Sequence, residues 1–178
     1  MVYLNNPDEM MLVEACLKNN RKAQKALYEK YKDAMYTLAY RVLGNFDDAC
    51  DALQEGFVQV FRSLENYEAK SSLGAWIRTI VVRAAYKKLN PEIVYQEVDL
   101  FESQEFFYWD ENMTGDELEK AILNLSPGYR LVFTLIEVEG YTHREVAGML
   151  GISVGTSKSQ LFYAKKKLQQ ELAFLIEP

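Results

Sequence analysis

The chain has 178 residues, of which 49% are hydrophobic and 13% aromatic, so it is a core-forming globular protein with room for one domain or two small ones. Its formal net charge of −6 at pH 7 argues against a uniformly basic DNA-binding protein. Cys16 and Cys50 stand apart from any CxxC motif or Cys/His cluster, and no apolar run reaches the roughly 18 residues of a membrane span. We therefore expect a cytoplasmic protein with no membrane insertion, no metal and no other cofactor.

The first two predicted helices lie in the first 43 residues. The stretch NPDE at 6–9 supplies a cap, a first-turn proline and two acids that suit the helix dipole, which predicts a short helix to about Asn19. A second helix is predicted from Arg21 to Leu43, where Gly44 ends it.

The third predicted helix begins at Asn45 and carries two distinct faces. Apolar residues recur on one face at spacings of three and four, namely Ala49, Leu53, Phe57, Val60 and Leu64. The opposite face carries Asp48, Asp51, Gln54 and Glu55, which we call the acidic stripe. Like charges on one helix face cost a few tenths of a kcal/mol per pair, so a basic partner would offset that cost. The alternative interpretation is an ordinary solvated face.

The fourth predicted helix follows the loop ENYEAKSS at 65–72. Ser71 or Ser72 caps it, and it runs from Leu73 to about Leu89. By helical geometry Trp76, Arg83 and Lys87 project within about 40° of one another. An aromatic ring beside cations suits stacking on an unpaired base and holding its phosphate, and the loop residues Tyr67, Lys70, Ser71 and Ser72 suit the same chemistry. A core tryptophan beside surface charges is the alternative.

The following segment, 91–115, holds the negative charge. It has seven acidic residues and no basic one, whereas residues 1–90 carry +2 and residues 116–178 carry −1. It lacks helical periodicity apart from a short helical piece predicted near 101–108. We interpret it as an acidic linker, which leaves the candidate DNA-binding parts free of the net negative charge.

Helical patterning returns at Asp116 and predicts a helix-turn-helix. Pro127 begins a helix to about residue 139, which Gly140 ends. Thr142 then caps HREVAGML, Gly151 permits a sharp turn, and Ser153 caps the final helix. His143, the only histidine, is interpreted as a capping or surface residue and not as a catalytic base.

The final helix has a predicted core stripe and a predicted polar face. The core stripe comprises Val154, Ser157, Leu161, Ala164, Leu168, Leu172 and Leu175. The polar face comprises Thr156, Ser159, Gln160, Tyr163, Lys166 and Lys167, with Lys158 and Lys165 beside the stripe. Hydroxyl and amide groups can read base edges and lysines can neutralise phosphate, so this face is a candidate DNA reader. A merely solvated face is the alternative.

These patterns predict an all-α protein with two small helical domains, 1–90 and 116–178, joined by the acidic linker 91–115. Three stretches, DDACDALQEGFVQVFRSL (47–64), SLGAWIRTIVVRAA (72–85) and LSPGYRLVFTLIEVEGYTHREVAGMLGISVGTSKSQL (125–161), resemble bacterial RNA polymerase sigma factors of the extracytoplasmic-function (ECF) type. The resemblance implies a non-enzymatic subunit that gives core polymerase its promoter specificity, with a four-helix sigma domain 2 and a helix-turn-helix sigma domain 4.

The resemblance also assigns partners and site residues. The acidic stripe, Asp48, Asp51, Gln54 and Glu55, falls where the family docks on the clamp helices of the largest polymerase subunit. Tyr67, Lys70, Ser71, Ser72, Trp76, Arg83 and Lys87 fall where the family captures −10 bases. Thr156, Lys158, Ser159, Gln160, Tyr163, Lys166 and Lys167 fall on the helix that reads the −35 element, in a domain that sits near the polymerase flap. The linker matches the segment that runs through the polymerase channels, and an anti-sigma factor often holds such proteins inactive.

Two departures from the family bear on DNA recognition. Many relatives carry asparagine at the position of Arg83, and arginine there favours guanine or phosphate. Gln160 and Tyr163 stand where many relatives have arginine, which predicts weak affinity for free DNA and binding that depends on polymerase. The free protein is expected to be a monomer.

Two other classes of function have less support in the sequence. A stand-alone helix-turn-helix regulator would bind duplex DNA tightly without polymerase, as a dimer on half-sites. An enzyme is disfavoured because the sequence has one histidine, no metal constellation and no glycine-rich phosphate loop. No residue is predicted to be catalytic.

Overall fold

The structure, a computed structural model, describes residues 6–89 and 114–176, and for 173–176 it describes the backbone only. The helices are α1 (Pro7–Leu17), α2 (Arg21–Leu43), α3 (Phe46–Ser63), α4 (Leu73–Lys88), α5 (Gly115–Asn124), α6 (Pro127–Phe133), α7 (His143–Leu150) and α8 (Val154–Ile176). A 3-10 turn, Leu64–Asn66, follows α3, and a π-helical segment, Thr134–Val138, follows α6. The described ranges contain no strand, and the predicted all-α fold is confirmed.

The helix ends follow local capping chemistry. The side chains of Asn45, Ser72 and Ser153 accept backbone N–H groups at 3.0, 3.2 and 2.9 Å, as predicted for the starts of α3, α4 and α8. Thr142 and Glu145 form a reciprocal capping box at the start of α7. Glycines with positive φ follow the ends of α2, the π-helical segment and α7: Gly44 (68°), Gly140 (76°) and Gly151 (68°).

Two details differ from the sequence prediction. α1 ends at Leu17, not near Asn19, because Asn19 adopts a left-handed φ of 57°. The helix that begins at Pro127 leaves α geometry after Phe133 and continues as the π-helical segment. Both differences concern how a helix ends, which sequence patterns specify least well.

By contacts the described chain divides into two units, residues 6–40 with 45–88, and residues 41–44 with 89 and 114–176. The helical piece predicted near 101–108 and nearly all of the predicted linker lie outside the described residues. The domain boundaries 1–90, 91–115 and 116–178 stay a prediction.

The first unit is built on the antiparallel pair α3 and α4. The predicted apolar face of α3 is buried, with none of its five residues more than 7% exposed. Gly56 allows the two helices to approach closely, because a Cβ there would lie 2.9 Å from Cγ2 of Val81. Leu73, Ile77 and Val81 of α4 are fully buried and complete this core.

The second unit packs α5, α6 and α7 against α8. Ser157, Leu161, Ala164, Leu168 and Leu172 are buried, so most of the predicted core stripe of α8 is confirmed. Val154 is the exception at 41% exposed, because it is the first residue of α8 and lies beyond the turn in which the stripe is covered. The side chain of Leu175 lies outside the described part of the chain.

Arg130 is a buried charged residue of the second unit. It is 7% exposed, and its guanidinium donates to the carbonyl oxygens of Leu43 at 2.8 Å and Leu123 at 2.7 Å. Burial lowers the pKa of Arg130. Its N–H groups satisfy main-chain carbonyls that would otherwise be buried without a donor.

Candidate polymerase and nucleic-acid interfaces

The acidic stripe lies on the exposed face of α3. All four of its residues are exposed, as the sequence predicted. The structure adds a cation that the helical pattern of α3 alone did not show, since Lys88 Nζ lies 3.1 Å from Glu55 Oε1 and 3.4 Å from Asp51 Oδ2. These hydrogen bonds, the one with Glu55 first, raise the pKa of Lys88. Lys88 relieves part of the repulsion within the stripe, while Asp51 and Glu55 keep 63% and 59% of their side-chain surface exposed.

An apolar residue adjoins the acidic stripe. Val58 is 49% exposed and follows Glu55 by three residues on α3, so both project from neighbouring positions on the same helix. The charge pattern of α3 gives no sign of Val58, although an apolar residue three positions after Glu55 is the signal that could have indicated it. Acids beside an exposed apolar side chain form a mixed surface of the kind found in protein interfaces.

A groove of about 710 Å³ runs between α3 and α4. Trp76, Arg83 and Lys87 line one wall together with Ile80 and Ala84, so the structure brings the three predicted α4 residues to one place. Gln54, Glu55, Val58, Gln59 and Arg62 line the wall that α3 provides. This α3–α4 groove therefore has an aromatic ring, cations and hydrogen-bond acceptors around one open space.

The loop before α4 fixes the aromatic end of the groove. The Tyr67 and Trp76 rings lie 5.4 Å apart between centroids with planes at 51°, and the Tyr67 hydroxyl donates to the Ser71 carbonyl at 2.8 Å. Burial raises the pKa of Tyr67. Ser72 uses its hydroxyl to cap α4, and Lys70 forms an exposed ion pair with Glu68. Tyr67 and Ser71 therefore position Trp76, whereas Lys70 lies towards solvent.

One residue of the predicted reading face on α8 is misplaced. Lys158, Lys166 and Lys167 are exposed, whereas Gln160 is only 1% exposed. Gln160 follows the fully buried Ser157 by three residues, and at about 100° per residue that spacing places both beside the core stripe. The prediction that Gln160 lies on the polar face was wrong.

The remaining predicted readers on α8 are half-buried and locally bonded. The hydroxyls of Ser153 and Thr156 lie 2.8 Å apart, and Ser159 donates to the Gly155 and Thr156 carbonyls at 3.2 and 3.1 Å. The Tyr163 ring stacks on Tyr129, with centroids 6.2 Å apart and planes at 19°. Thr156, Ser159 and Tyr163 therefore remain partly exposed while their polar or aromatic groups interact within the fold.

His143 connects the two helices of the helix-turn-helix. Its Nδ1 lies 2.9 Å from the hydroxyl of the buried Ser157, and the histidine is half-buried. Burial is the main cause that lowers the pKa of His143, with Lys158 and Lys165 acting in the same direction and Glu137 against it. The interpretation of His143 as a capping or surface residue therefore missed an interhelical contact.

The described ranges show no group of three or more His, Cys, Asp or Glu residues arranged to hold a metal ion. Within those same ranges, no helix has the length and apolarity needed to cross a membrane.

Three features occur together in this protein: an exposed acidic helix face, an aromatic and basic groove, and a helix-turn-helix whose second helix carries lysines. Together they indicate a DNA-binding protein that acts in transcription.

Comparisons with known proteins agree with this class. The family model of Sigma-70 region 2 matches residues 27–90, and that of Sigma-70 region 4 matches residues 115–168. The chain is 30% identical to the ECF RNA polymerase sigma factor SigE of Mycolicibacterium smegmatis over 83% of its own length and 60% of that relative. It is 25% identical to the RNA polymerase sigma-H factor of Pseudomonas aeruginosa over 97% of its own length and 98% of that relative.

Two solved structures share the fold. The sigma factor RpoE in complex with the anti-sigma factor NepR, from Bartonella quintana, aligns with a TM-score of 0.59 at 24% identity over 84% of this chain and 96% of that chain. CnrH in complex with the cytosolic domain of CnrY aligns with a TM-score of 0.55 at 19% identity over 94% and 97% of the two chains. With both sigma-70 regions present in order, the chain belongs to the ECF RNA polymerase sigma factors.

Proposed function

We propose that this protein binds core RNA polymerase in the cytoplasm and directs it to specific promoters, without catalysing a reaction itself. The observation that carries the proposal is the presence of Sigma-70 regions 2 and 4, in order, on the two helical units. The exposed acidic stripe and the α3–α4 groove lie in the first of these matches, and the helix-turn-helix lies in the second.

In this proposal the acidic stripe docks on the basic clamp helices of the largest polymerase subunit. Asp48, Asp51, Gln54 and Glu55 are exposed, and Lys88 already shows that a cation fits between Asp51 and Glu55. A partner arginine or lysine would replace or join Lys88, and Val58 would be covered at the same time.

The α3–α4 groove receives unpaired −10 bases in this proposal. Trp76 offers a stacking surface, and Arg83 and Lys87 offer cations beside it. Tyr67 and Ser71 hold the tryptophan in place, and Ser72 caps the start of α4. Lys70, in the loop before α4, contacts the phosphate backbone of the DNA.

α8 contacts the −35 element through its exposed and half-exposed polar residues. These are Thr156, Lys158, Ser159, Tyr163, Lys166 and Lys167. Gln160 is excluded because it is buried. With three exposed lysines and no arginine, the helix supplies little phosphate attraction, so binding depends on polymerase holding it at the flap. The protein is proposed to be a monomer when free and to be held inactive by an anti-sigma factor.

The decisive test combines co-purification with core polymerase and transcription from a promoter selected by the reconstituted holoenzyme. An Asp51→Arg/Glu55→Arg variant is expected to lose both activities, because it places like charges against the basic clamp helices. A Glu14→Arg/Asp33→Arg variant changes the net charge equally at two other exposed positions and is expected to retain both. Equal behaviour of the two variants would contradict the proposed docking face, and tight duplex binding without polymerase would favour a stand-alone regulator.

A further inference from the structure

Three cations in the α3–α4 groove are available to a ligand: Arg62 on α3, and Arg83 and Lys87 on α4. Arg83 and Lys87 are exposed and form no ion pair or hydrogen bond with residues 6–89 or 114–176. Lys88, the next residue, is by contrast held by Asp51 and Glu55. The fold thus neutralises Lys88 through Asp51 and Glu55, whereas the three cations that line the groove have no acidic partner among the described residues.

The arginine is placed to reach the aromatic end of the groove. α3 and α4 run antiparallel, since Glu55 contacts Lys88 whereas the Tyr67 ring contacts Trp76. Arg83 follows Trp76 by two helical turns on the same face. Side chains on an α-helix lean towards its N-terminus, so Arg83 is expected to lean towards the end of the groove where Trp76 lies, and both residues line the groove. Guanidinium and indole therefore border one space.

The opposite wall supplies hydrogen-bonding groups that suit the edge of a base. Gln59 on α3 lines the same groove, and its amide group offers both an acceptor and donors, whereas Glu55 is paired with Lys88. Guanine presents the acceptors O6 and N7, which match the two parallel donors of a guanidinium. It also presents N1–H and N2–H donors, from which the amide oxygen of Gln59 can accept. Adenine would instead place its N6 amino group against the arginine.

We propose that the α3–α4 groove selects guanine, with Arg83 donating to O6 and N7 of an unpaired base that stacks on Trp76. The amide oxygen of Gln59 on α3 accepts from the opposite edge of the base, and Lys87 holds the neighbouring phosphate. This inference rests on the proposed function, because it assigns a base preference to the surface that meets the −10 element.

The test uses the full chain without polymerase, in a Trp109→Phe background that leaves Trp76 as the sole tryptophan. Its fluorescence is titrated with thymidine hexanucleotides that carry one central guanine, adenine, cytosine, inosine or 7-deazaguanine. The guanine oligonucleotide is expected to quench Trp76 and to bind about tenfold tighter than the adenine one, as a bidentate arginine contact allows. Inosine and 7-deazaguanine, which lack the N2 amino group and N7 respectively, are expected to bind between these limits.

Two exposed substitutions separate base reading from charge. Arg83→Lys keeps the positive charge but loses the fork, and it is expected to reduce the guanine-over-adenine ratio to about one. Lys87→Gln is expected to weaken all oligonucleotides alike and to keep the ratio. Equal affinities of the wild type for guanine and adenine, absence of Trp76 quenching by every oligonucleotide, or loss of the ratio in Lys87→Gln but not in Arg83→Lys would overturn the proposal.

The same measurements distinguish this inference from the proposed function. A chain that selects guanine but fails to bind core polymerase would overturn the proposed function and leave the inference standing as a single-strand preference. A chain that forms an active holoenzyme but shows no guanine preference would overturn the inference alone.

Discussion

At the scale of single residues, neighbouring polar side chains on α8 have opposite environments because the helix turns about 100° per residue. Lys166 and Lys167 reach solvent, whereas Gln160 is 1% exposed beside Ser157. A residue enclosed in this way contributes to the packing of the helix-turn-helix and presents nothing to a DNA groove. Its polar group must remain neutral, because burying a charge there would be costly.

Gln160→Glu is accordingly expected to lower the free energy of unfolding by about 2–3 kcal/mol, since it places a carboxylate in a buried site. Gln169→Glu, on the exposed face of the same helix, serves as the matched control and is expected to change stability by less than about 0.5 kcal/mol. Urea unfolding followed by circular dichroism measures both. Similar midpoints for the two variants would show that position 160 is open to solvent.

His143 predicts a pH dependence of stability. Its folded-state pKa is lowered, chiefly by burial, so the unfolded chain binds the proton more readily. The associated stability is therefore present above the unfolded pKa of about 6.5 and is lost as pH falls through the lower folded value. Unfolding free energies between pH 7.5 and 5.5 are expected to decrease in the wild type and to be flatter in His143→Asn. An identical slope in both would exclude His143 as the source, and it is the sole histidine of the chain.

At the scale of elements, the close approach of α3 and α4 depends on one glycine. A methyl group at Gly56 would meet Val81 Cγ2 at 2.9 Å and the Val81 Cα at 3.3 Å, and a backbone atom cannot rotate away. Separation of these helices would widen the groove in which Trp76 and Arg83 lie. Packing and recognition are thus linked through the same helix pair.

Gly56→Ala is expected to destabilise the protein by about 1–3 kcal/mol through overpacking. Gly148→Ala is the matched control, because Gly148 lies in α7 with no atom within 4 Å of its would-be Cβ. That change is expected to stabilise by about 0.5–1 kcal/mol through helix propensity alone. Thermal or denaturant unfolding distinguishes the two variants, because their changes in the free energy of unfolding are expected to have opposite signs. A neutral Gly56→Ala would mean that α3 and α4 adjust without cost.

At the scale of the whole molecule, charge is segregated along the chain. The segment 91–115 carries seven acids and no base, while three exposed lysines lie on α8. Acids in one segment and cations on a reading helix allow a protein of net charge −6 to contact DNA locally. The overall charge lowers affinity for free DNA and so favours binding that polymerase assists.

Lys166→Gln/Lys167→Gln is expected to reduce the salt dependence of duplex binding by almost two phosphate equivalents, about 0.9 for each lysine in the slope of log K against log salt. Lys22→Gln/Lys25→Gln, two exposed lysines of α2, removes the same charge elsewhere and is expected to leave that slope unchanged. Fluorescence anisotropy at several salt concentrations provides the slopes. If both double variants reduce the salt slope by the same amount, the effect reflects net charge and does not indicate DNA contacts by α8.

Local chemistry explains which features of this protein could be predicted from its sequence alone. Asn45, Ser72, Thr142 and Ser153 cap the helices that they were predicted to begin, because a cap needs only the backbone two or three residues further on. The acidic stripe also followed from spacing alone, since one regular helix places all its members. The two sigma-70 regions were recognisable from contiguous motifs for the same reason.

Contacts between helices decided the rest. Lys88 meets Asp51 and Glu55, and His143 meets Ser157, across separations of 14 to 37 residues in sequence that no local pattern encodes. The polarity of Gln160 and its place on α8 predicted an exposed reader, but the side chain is buried. Which polar group faces water depends on the helices packed against it, and that arrangement exists only once the chain has folded.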